Sequence, residues 1–390
     1  MRYLKSSEVD AERAVSLLRA AFPFSTHADE AANALLGSRQ IDFDISAVEV
    51  EVDQDLVAVA LAKRVKIQLD GVEVNALTVG PVAVDPAFQG RGVGRLLMGG
   101  VDELARSLPV EATYLQGIPN FYHRFGYVPM LSKSKCRIEL KSVGDYPGRV
   151  NIRPALFSDI PAISAIYSQL TRGLSGAACR DHRDWRWLLG PAARSWYFQN
   201  PQIVEVNGEV VGYFCVDRCA PERVREAVYR VDEASIFAFI FGLKTHLRVS
   251  GISHAELMTW RSSPLYQKIL FRMTSQFVES SSASGGQLIK LRAPAAIVQS
   301  ILSARSPELK DAFRINFFED AICISFGPEK VLVKLRSLMV WLLGVMSFEE
   351  LLKRGDISLI SGAHRLLSPE FSRVLRSRSE AVFVFQGDNL

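Results

Sequence analysis

Hydrophobic and polar positions in the first part of the chain follow two different periods. Apolar residues recur three or four positions apart over residues 11–21 and 94–107, which predicts helices there. The valine-rich stretches 48–62 and 77–84 and the alternating stretch 135–140 predict strands. Helix and strand patterns therefore succeed one another along one segment, and the sequence predicts an α+β fold.

The same order of patterns begins again further along the chain. Residues 150–154 are predicted to form a strand, and Ser158 to Pro161 has the side-chain acceptors and the early proline of a helix start. Asn207-Gly208 joins two strand-like runs, which is a strong hairpin signal. In its order of elements, this second part looks like a weakened copy of the first.

Two turn-rich stretches, 143–148 and 280–286, mark predicted joints between domains. They divide the chain into residues 1–148, 149–284 and 285–390, so we expect three domains. The last part has two strand patterns and a helix that a capping box opens. These features lie at residues 287–292, 321–326 and 347–350.

The composition is that of an ordinary globular protein. Of 390 residues, 48% are apolar and 23% are charged, which excludes a disordered or low-complexity chain. The net charge of +4 is too small for a dedicated nucleic-acid binder. The five cysteines are odd in number and widely spaced, so we expect free thiols, without a disulfide framework or a metal site.

The chain shows no pattern that targets it to a membrane. The first residues lack the apolar core of a signal peptide. The most apolar run, residues 338–346, is far shorter than the ~20 residues that a membrane helix needs. We therefore expect a soluble, cytoplasmic protein that does not bind membranes.

A glycine-rich loop joins the strand that ends at Val84 to the helix that begins near Gly94. Its residues 85–95 read Asp-Pro-Ala-Phe-Gln-Gly-Arg-Gly-Val-Gly-Arg. Glycines allow a positive φ and a close approach of the backbone to a ligand. Unpaired N–H groups and the positive dipole end at a helix N-terminus favour a phosphate, and Arg91 and Arg95 add positive charge. The loop therefore predicts a pyrophosphate-binding site.

Three phosphate-binding motifs were compared with this loop. A P-loop needs Gly-Lys-Ser/Thr at its end, which is absent. In a dinucleotide-binding fingerprint on Gly90 and Gly92, the third glycine would fall at Arg95. The pattern Gln/Arg-x-x-Gly-x-Gly/Ala is met by Gln89, Gly92 and Gly94. This pattern resembles the coenzyme A-binding motif of the Gcn5-related N-acetyltransferase (GNAT) superfamily.

A second stretch, residues 114–129, extends the resemblance. It reads Tyr-Leu-Gln-Gly-Ile-Pro-Asn-Phe-Tyr-His-Arg-Phe-Gly-Tyr-Val-Pro. It is similar to the second conserved block of these enzymes, in which a short helix packs beside the thioester and a Phe-Gly-Tyr/Phe turn follows. The two blocks together identify the first segment as a member of the superfamily.

The layout of the whole chain resembles the enhanced-intracellular-survival (Eis) type of acetyltransferase. In that type a GNAT module precedes a degenerate second module and a last domain that resembles sterol carrier proteins. Residues 338–355 look like that last domain, and the second segment has no equivalent of the glycine loop. The resemblance implies a GNAT fold, a degenerate GNAT module, a sterol-carrier-protein-like α/β domain and, since the family often forms hexamers, a homo-oligomer.

The resemblance also implies roles for individual residues. Tyr127 would donate a proton to the leaving thiolate. The terminal carboxylate of Leu390 would be the general base, with Asp388 as a substitute because the chain lacks the family's terminal aromatic residue. The implied contacts to acetyl-CoA come from the strand, the loop and the second block, at Val82, Ala83, Val84, Gln89, Gly90, Arg91, Gly92, Val93, Gly94, Arg95, Asn120, Tyr122 and His123.

The implied function is an N-acetyltransferase that moves the acetyl group of acetyl-CoA directly to a primary amine. The amine belongs to a small molecule or to a lysine side chain, and its pocket is expected between the first module and the later domains. Two alternatives stay open, namely a non-catalytic scaffold that binds acyl-CoA or lipid and an acyltransferase for longer acyl chains.

Further side chains were considered for this site. His27 is a candidate for lining the acceptor pocket, although a surface loop position is the simpler interpretation. An aromatic cluster in the second segment is more typical of packing than of ligand stacking. Its members are Trp185, Trp187, Trp196, Tyr197 and Phe198.

Overall fold

The computed structural model describes residues 1–5, 8–23, 45–129, 133–190, 200–260, 262–280, 286–318, 320–342, 346–360 and 367–375. The first part of the chain contains β1 (Arg2–Lys5), α1 (Ala11–Ala21), β2 (Ile45–Val52), β3 (Asp55–Leu69), β4 (Val72–Val84), α2 (Val93–Ser107), β5 (Ala112–Gly117), β6 (Val128–Pro129) and β7 (Lys133–Glu139). The middle part contains β8 (Val150–Pro154), α3 (Ile160–Thr171), α4 (His182–Leu188), β9 (Gln202–Val206), β10 (Glu209–Val216), β11 (Arg223–Tyr229), α5 (Glu233–Val249), β12 (His254–Met258), α6 (Pro264–Arg272) and β13 (Ser275–Ser280). The last part contains β14 (Gly286–Leu291), α7 (Pro294–Arg305), β15 (Phe313–Phe318), β16 (Ala321–Phe326), β17 (Glu329–Lys334), α8 (Leu335–Leu342), α9 (Phe348–Lys353), β18 (Ile357–Leu359) and α10 (Pro369–Leu375).

The predicted helices and strands are confirmed, with bounds that shift by a few residues. The valine-rich stretch 48–62 holds a turn that its pattern did not reveal, because Asp53 and Gln54 adopt φ values of 51° and 74° between β2 and β3. The predicted hairpin turn is present between β9 and β10, where Asn207 and Gly208 have φ values of 52° and 83°.

Two helix starts show how well a cap can be recognised from sequence. The predicted capping box of α9 is confirmed, because the Ser347 hydroxyl accepts from the Glu350 N–H and the Glu350 carboxylate accepts from the Ser347 N–H. At α3, however, the Asp159 carboxylate accepts from Arg153 at 2.7 and 2.8 Å and from the Leu156 N–H at 2.7 Å. The charged guanidinium is a stronger donor than a helix N–H group, so Asp159 turns away from the helix.

The two larger sheets of the described chain share one strand order and exchange a strand. The first is seven-stranded in the order β1-β2-β3-β4-β5-β14-β6, and the second is seven-stranded in the order β8-β9-β10-β11-β12-β7-β13. β7 follows β6 in sequence but lies in the second sheet, and β14 follows β13 but lies in the first. Each sheet therefore receives its sixth strand from another part of the chain, β14 from the last part and β7 from the first. The element order of the first module recurs in the second.

This exchange crosses the segment limits that the sequence predicted. β7 lies within residues 1–148 but pairs with β12 and β13. β14 lies within residues 285–390 but pairs with β5 and β6. Turn-rich stretches mark where the chain can bend. The pairing of a strand depends instead on which sheet edge is free, so strands can pair across such limits. The three-domain division therefore stays a prediction.

The last part of the chain packs onto the first sheet. Its own sheet has the order β15-β16-β17-β18, and its core is continuous with residues of β3 and β4. Arg305 on α7 forms a buried ion pair with Asp70 at the β3–β4 turn and donates to the Val374 carbonyl at 2.9 Å. The Trp341 indole donates to the Leu375 carbonyl at 2.8 Å. The helix α10 is thus tied to the first sheet, while the likeness to sterol carrier proteins stays a prediction.

The described helices were compared with the length and hydropathy of a membrane span. None of them is long and apolar enough to cross a bilayer. All five cysteines are free, and Cys136, Cys215 and Cys323 are buried.

Candidate active site

The glycine-rich loop lies at the carboxyl end of β4 and leads into α2. The Asp85 carboxylate accepts from the Ala87 N–H at 2.8 Å, and the Gln89 amide donates to the Val84 carbonyl at 3.1 Å. These bonds fold the loop back over the end of β4. Gly90 and Gly92 have φ values of 73° and 87°, a region that favours glycine, so the loop conformation depends on both.

The loop presents a row of unused N–H groups to solvent. Gly92 is the N-cap residue of α2, and no side chain caps this helix. Within the described residues, the N–H groups of residues 90–94 donate to no acceptor. Arg91 and Arg95 are exposed beside them. This combination of free N–H groups, helix dipole and positive charge is what a pyrophosphate requires.

Beside the loop, β4 and β5 separate and leave one edge of β4 open. The two strands pair in parallel from Ala76 with Ala112 as far as Val79 with Leu115. Beyond that point, residues 82–84 pair only with β3 among the described strands. Residues 82–84 therefore have no strand partner on the side away from β3 within the described chain, as the predicted pairing with a pantetheine arm needs.

A short 3-10 turn, Tyr122–Phe125, closes the other side of this gap. It is preceded by Asn120 with φ 60° and followed by Gly126 with φ 83°, and the Gly126 N–H donates to the His123 carbonyl at 3.1 Å. The Phe121 ring lies against Gly94, where an added Cβ would come within 3.1 Å of it. The second conserved block is thus packed directly against the start of α2.

The two tyrosines of this block differ in their access to the gap. Tyr127 is 1% exposed, and its hydroxyl oxygen is enclosed without a well-formed hydrogen bond. Tyr122 is 7% exposed, and its hydroxyl is not among the enclosed unpaired atoms of the described chain. Burial raises the pKa of Tyr122 to about 12 and also raises the pKa of Tyr127. Both phenols are therefore protonated at neutral pH, and Tyr122 is the less deeply buried of the two.

The structure brings together most of the predicted cofactor contacts. The strand residues 82–84, the loop residues 89–95 and Tyr122 surround one gap, while Asn120 and His123 are exposed on the adjoining turn. The sequence predicts Tyr122 as a cofactor contact and Tyr127 as the proton donor. No signal in the sequence shows which of the two phenols is buried more deeply, because burial of a hydroxyl depends on what packs over it.

Several other candidates lie in the second module or beyond the described chain. Trp185 and Trp187 are buried in the second core, where the Trp185 ring meets Tyr167 edge-on at 5.4 Å and the Arg180 guanidinium at 5.0 Å. The packing interpretation is confirmed for these two tryptophans. The candidates outside the described residues are His27, Trp196, Tyr197, Phe198, Asp388 and Leu390.

The second sheet has an equivalent opening with different chemistry. β11 and β12 pair only through residues 223–224 and 256–257 before they diverge. The helix α5, which corresponds to α2, starts at Asp232, whose carboxylate accepts from the Ser235 N–H at 2.9 Å. A carboxylate thus occupies the helix N-terminus where a phosphate would bind, and it would repel one. This supports the prediction that the second module does not bind coenzyme A through such a loop.

Comparison with known protein families agrees with this site. Residues 1–130 match the family described as Acetyltransferase (GNAT) domain. The chain therefore carries a GNAT acetyltransferase domain, which makes it an acyltransferase by class. The match ends before β7, the strand that pairs in the second sheet. No curated protein matches the sequence significantly.

Solved structures share the fold over the full length of the chain. Eis1 from Mycobacterium abscessus is 17% identical, with a TM-score of 0.63 and complete coverage (100%) of both chains. A GCN5-related N-acetyltransferase from Anabaena variabilis is 13% identical, with a TM-score of 0.66 over 98% of this chain and 99% of that one. Another from Kribbella flavida is 15% identical, with a TM-score of 0.65 and 100% coverage of both chains. The fold is thus that of tandem GNAT proteins such as Eis1.

Proposed function

We propose that the protein is an N-acetyltransferase that moves the acetyl group of acetyl-CoA directly to a primary amine within a ternary complex. The observation that carries this proposal is the convergence of three features at one gap. These are the open edge of β4 at residues 82–84, the unused N–H groups at residues 90–94 and the phenol of Tyr122, which is less deeply buried than that of Tyr127. A nucleophilic side chain is not needed, because the acceptor amine itself attacks the thioester.

Each feature has a task in this reaction. The loop and Arg91 and Arg95 hold the pyrophosphate, and the open edge of β4 orients the pantetheine arm. When the amine attacks, the C–S bond breaks and the sulfur leaves as a thiolate that takes up a proton. The phenol of Tyr122 can donate it, because its raised pKa of about 12 keeps it protonated at neutral pH. We favour Tyr122 because it is less deeply buried than Tyr127, the donor that the sequence predicted, and Tyr127 stays the alternative acid.

The amine must also lose a proton before or during the attack. The terminal carboxylate of Leu390 remains the proposed base, with Asp388 as its substitute. The acceptor is proposed to be a primary amine of a small molecule or a lysine side chain, and the active assembly a homo-oligomer in the cytoplasm. Appending residues after Leu390 should stop turnover if its carboxylate is the base, and full activity of the extended chain would exclude that role.

Release of free thiol from acetyl-CoA across a panel of primary amines tests the proposal. We expect amine-dependent thiol release, and an acetylated product of matching mass. The same panel with longer acyl-CoA molecules separates acetyl transfer from transfer of longer chains. Tight binding of acetyl-CoA without turnover on any amine would instead support a non-catalytic scaffold. The double variant Arg91→Ala/Arg95→Ala serves as a control, since it weakens the proposed pyrophosphate site.

A further inference from the structure

Lys290 reaches the back of this site from a distant part of the sequence. It lies on β14, the strand that the first sheet receives from beyond the second module, and in the register it stands opposite Thr113 on β5. Its neighbour Ile289 stands opposite Val128 on β6. β14 therefore lies between β5 and β6, the strands that precede and follow the turn Tyr122–Phe125 in sequence.

The ammonium group of Lys290 is bound to α2. Its Nζ lies 2.8 Å from Oδ1 and 2.7 Å from Oδ2 of Asp102, and Arg292 Nη1 lies 3.4 Å from the same Oδ1. The side chains of Lys290 and Asp102 are only 23% and 17% exposed, so water screens this pair less than a surface ion pair. Asp102 lies on α2, about 15 Å along the helix from its N-cap residue Gly92.

The alkyl part of Lys290 lies beside Gly126, the residue that follows the turn Tyr122–Phe125. Its Cε and Cδ lie 3.6 and 3.8 Å from the position of a Cβ on Gly126, the residue that ends this turn. Its Nζ also lies 5.9 Å from the centre of the Tyr127 ring. One side chain thus lies beside the end of the turn that carries Tyr122 and pairs with the helix that follows the glycine-rich loop.

We infer that Lys290 is a positioning residue that fixes the Tyr122 turn relative to α2. The inference rests on the proposed function, in which the loop on α2 holds one end of acetyl-CoA and Tyr122 meets its sulfur. The distance between these two elements then sets whether the phenol is within reach of the thiolate. A displacement of about 1 Å at such a contact can lower a rate by about 100-fold, even when the ligand remains bound.

The variant Lys290→Met tests this role, because methionine keeps most of the alkyl packing and removes the charge. Asp102 retains Arg292 as a partner in this variant, so no carboxylate is left without a cation. We expect kcat to fall at least about tenfold, while the dissociation constant of coenzyme A changes less than about threefold. Asp102→Asn should give a similar loss of kcat, and the double variant should lose little more than either single one, because both remove the same link.

Lys244→Met is the matched control. Lys244 is 10% exposed and pairs with Asp145 at 3.1 Å and with the Val143 carbonyl at 2.7 Å in the second module. Its loss should lower the melting temperature without a change in kcat. A folded Lys290→Met protein with kcat within twofold of the wild type would overturn the inference. So would parallel losses of kcat and coenzyme A affinity.

A readout that does not need turnover separates this inference from the proposed function. Hydrogen exchange of the backbone amides of residues 121–127 is measured with coenzyme A bound. In Lys290→Met we expect these amides to exchange at least about tenfold faster, while those of α2 stay unchanged. Unchanged exchange in the turn would overturn the inference. Failure of the wild type to acetylate any amine would instead reject the proposed function.

Discussion

The Tyr122 ring lies directly against Gly117 at the end of β5, where a Cβ on the glycine would come within 2.3 Å of the ring. Gly117→Ala should therefore displace the ring and with it the hydroxyl. Overpacking of this kind costs about 1–3 kcal/mol of stability, and we expect kcat to fall about tenfold or more. Steady-state kinetics with thermal unfolding checks this. Gly99→Ala in α2 is the control, because nothing lies within 4 Å of its added Cβ, and it should leave activity unchanged.

The two tyrosines of the second block should respond differently to the loss of their hydroxyl groups. Tyr122→Phe should lower kcat by about 100-fold, the usual effect of removing a general acid, with little change in coenzyme A affinity. Tyr127→Phe should keep turnover within a few-fold, because its hydroxyl is enclosed in the core and makes no well-formed hydrogen bond. Measurement of kcat and of the coenzyme A dissociation constant for both variants decides the matter. The reverse pattern would return the role to Tyr127.

The raised pKa of Tyr122 makes a prediction about alkaline pH. A phenol can donate a proton only below its pKa, and burial raises this pKa to about 12. The rate should therefore not fall between about pH 8 and pH 10 through loss of the acid, although an ordinary phenol would be half ionised near pH 10. A pH profile of kcat/KM checks this. A descending limb near pH 10 that disappears in Tyr122→Phe would contradict the raised pKa.

The full chain should bind one molecule of coenzyme A. The first module has glycines at the start of α2, whereas α5 of the second module starts with the carboxylate of Asp232. Isothermal titration should give one site per chain. Gly92→Ala should weaken binding about 5- to 30-fold, since a non-glycine residue at positive φ costs about 1–2 kcal/mol. Two sites per chain would show that the second module also binds coenzyme A, and unchanged affinity in Gly92→Ala would show that this loop does not hold the cofactor.

The strand exchange predicts that the first module cannot be isolated at its sequence limits. Residues 1–148 alone lack β14, so the edges of β5 and β6 and the buried contacts of Leu288 and Ile289 would be lost. We expect this fragment to show no cooperative unfolding transition and no coenzyme A binding. Circular dichroism and titration against the full chain check this. A fragment that binds with full affinity would show that β14 is dispensable.

The local patterns of the sequence were sufficient for much of the fold. Helical spacing over residues 94–107, the Asn207-Gly208 turn and the Ser347–Glu350 capping box all depend on neighbouring residues, and all are present as predicted. The phosphate loop could be recognised for the same reason, because its glycines and its position before a helix follow each other directly in the chain.

The remaining features depend on residues that are far apart in sequence. Helical periods, turn residues and the spacing of the loop are local properties, so the sequence by itself determined the elements and the GNAT domain, and it predicted the cofactor end of the site. Tertiary structure alone decided that β7 and β14 change places, that Tyr127 is buried more deeply than Tyr122, and that Lys290 meets Asp102. Strand partners and burial are set by which edges and surfaces remain free when the chain packs, and no local pattern records that.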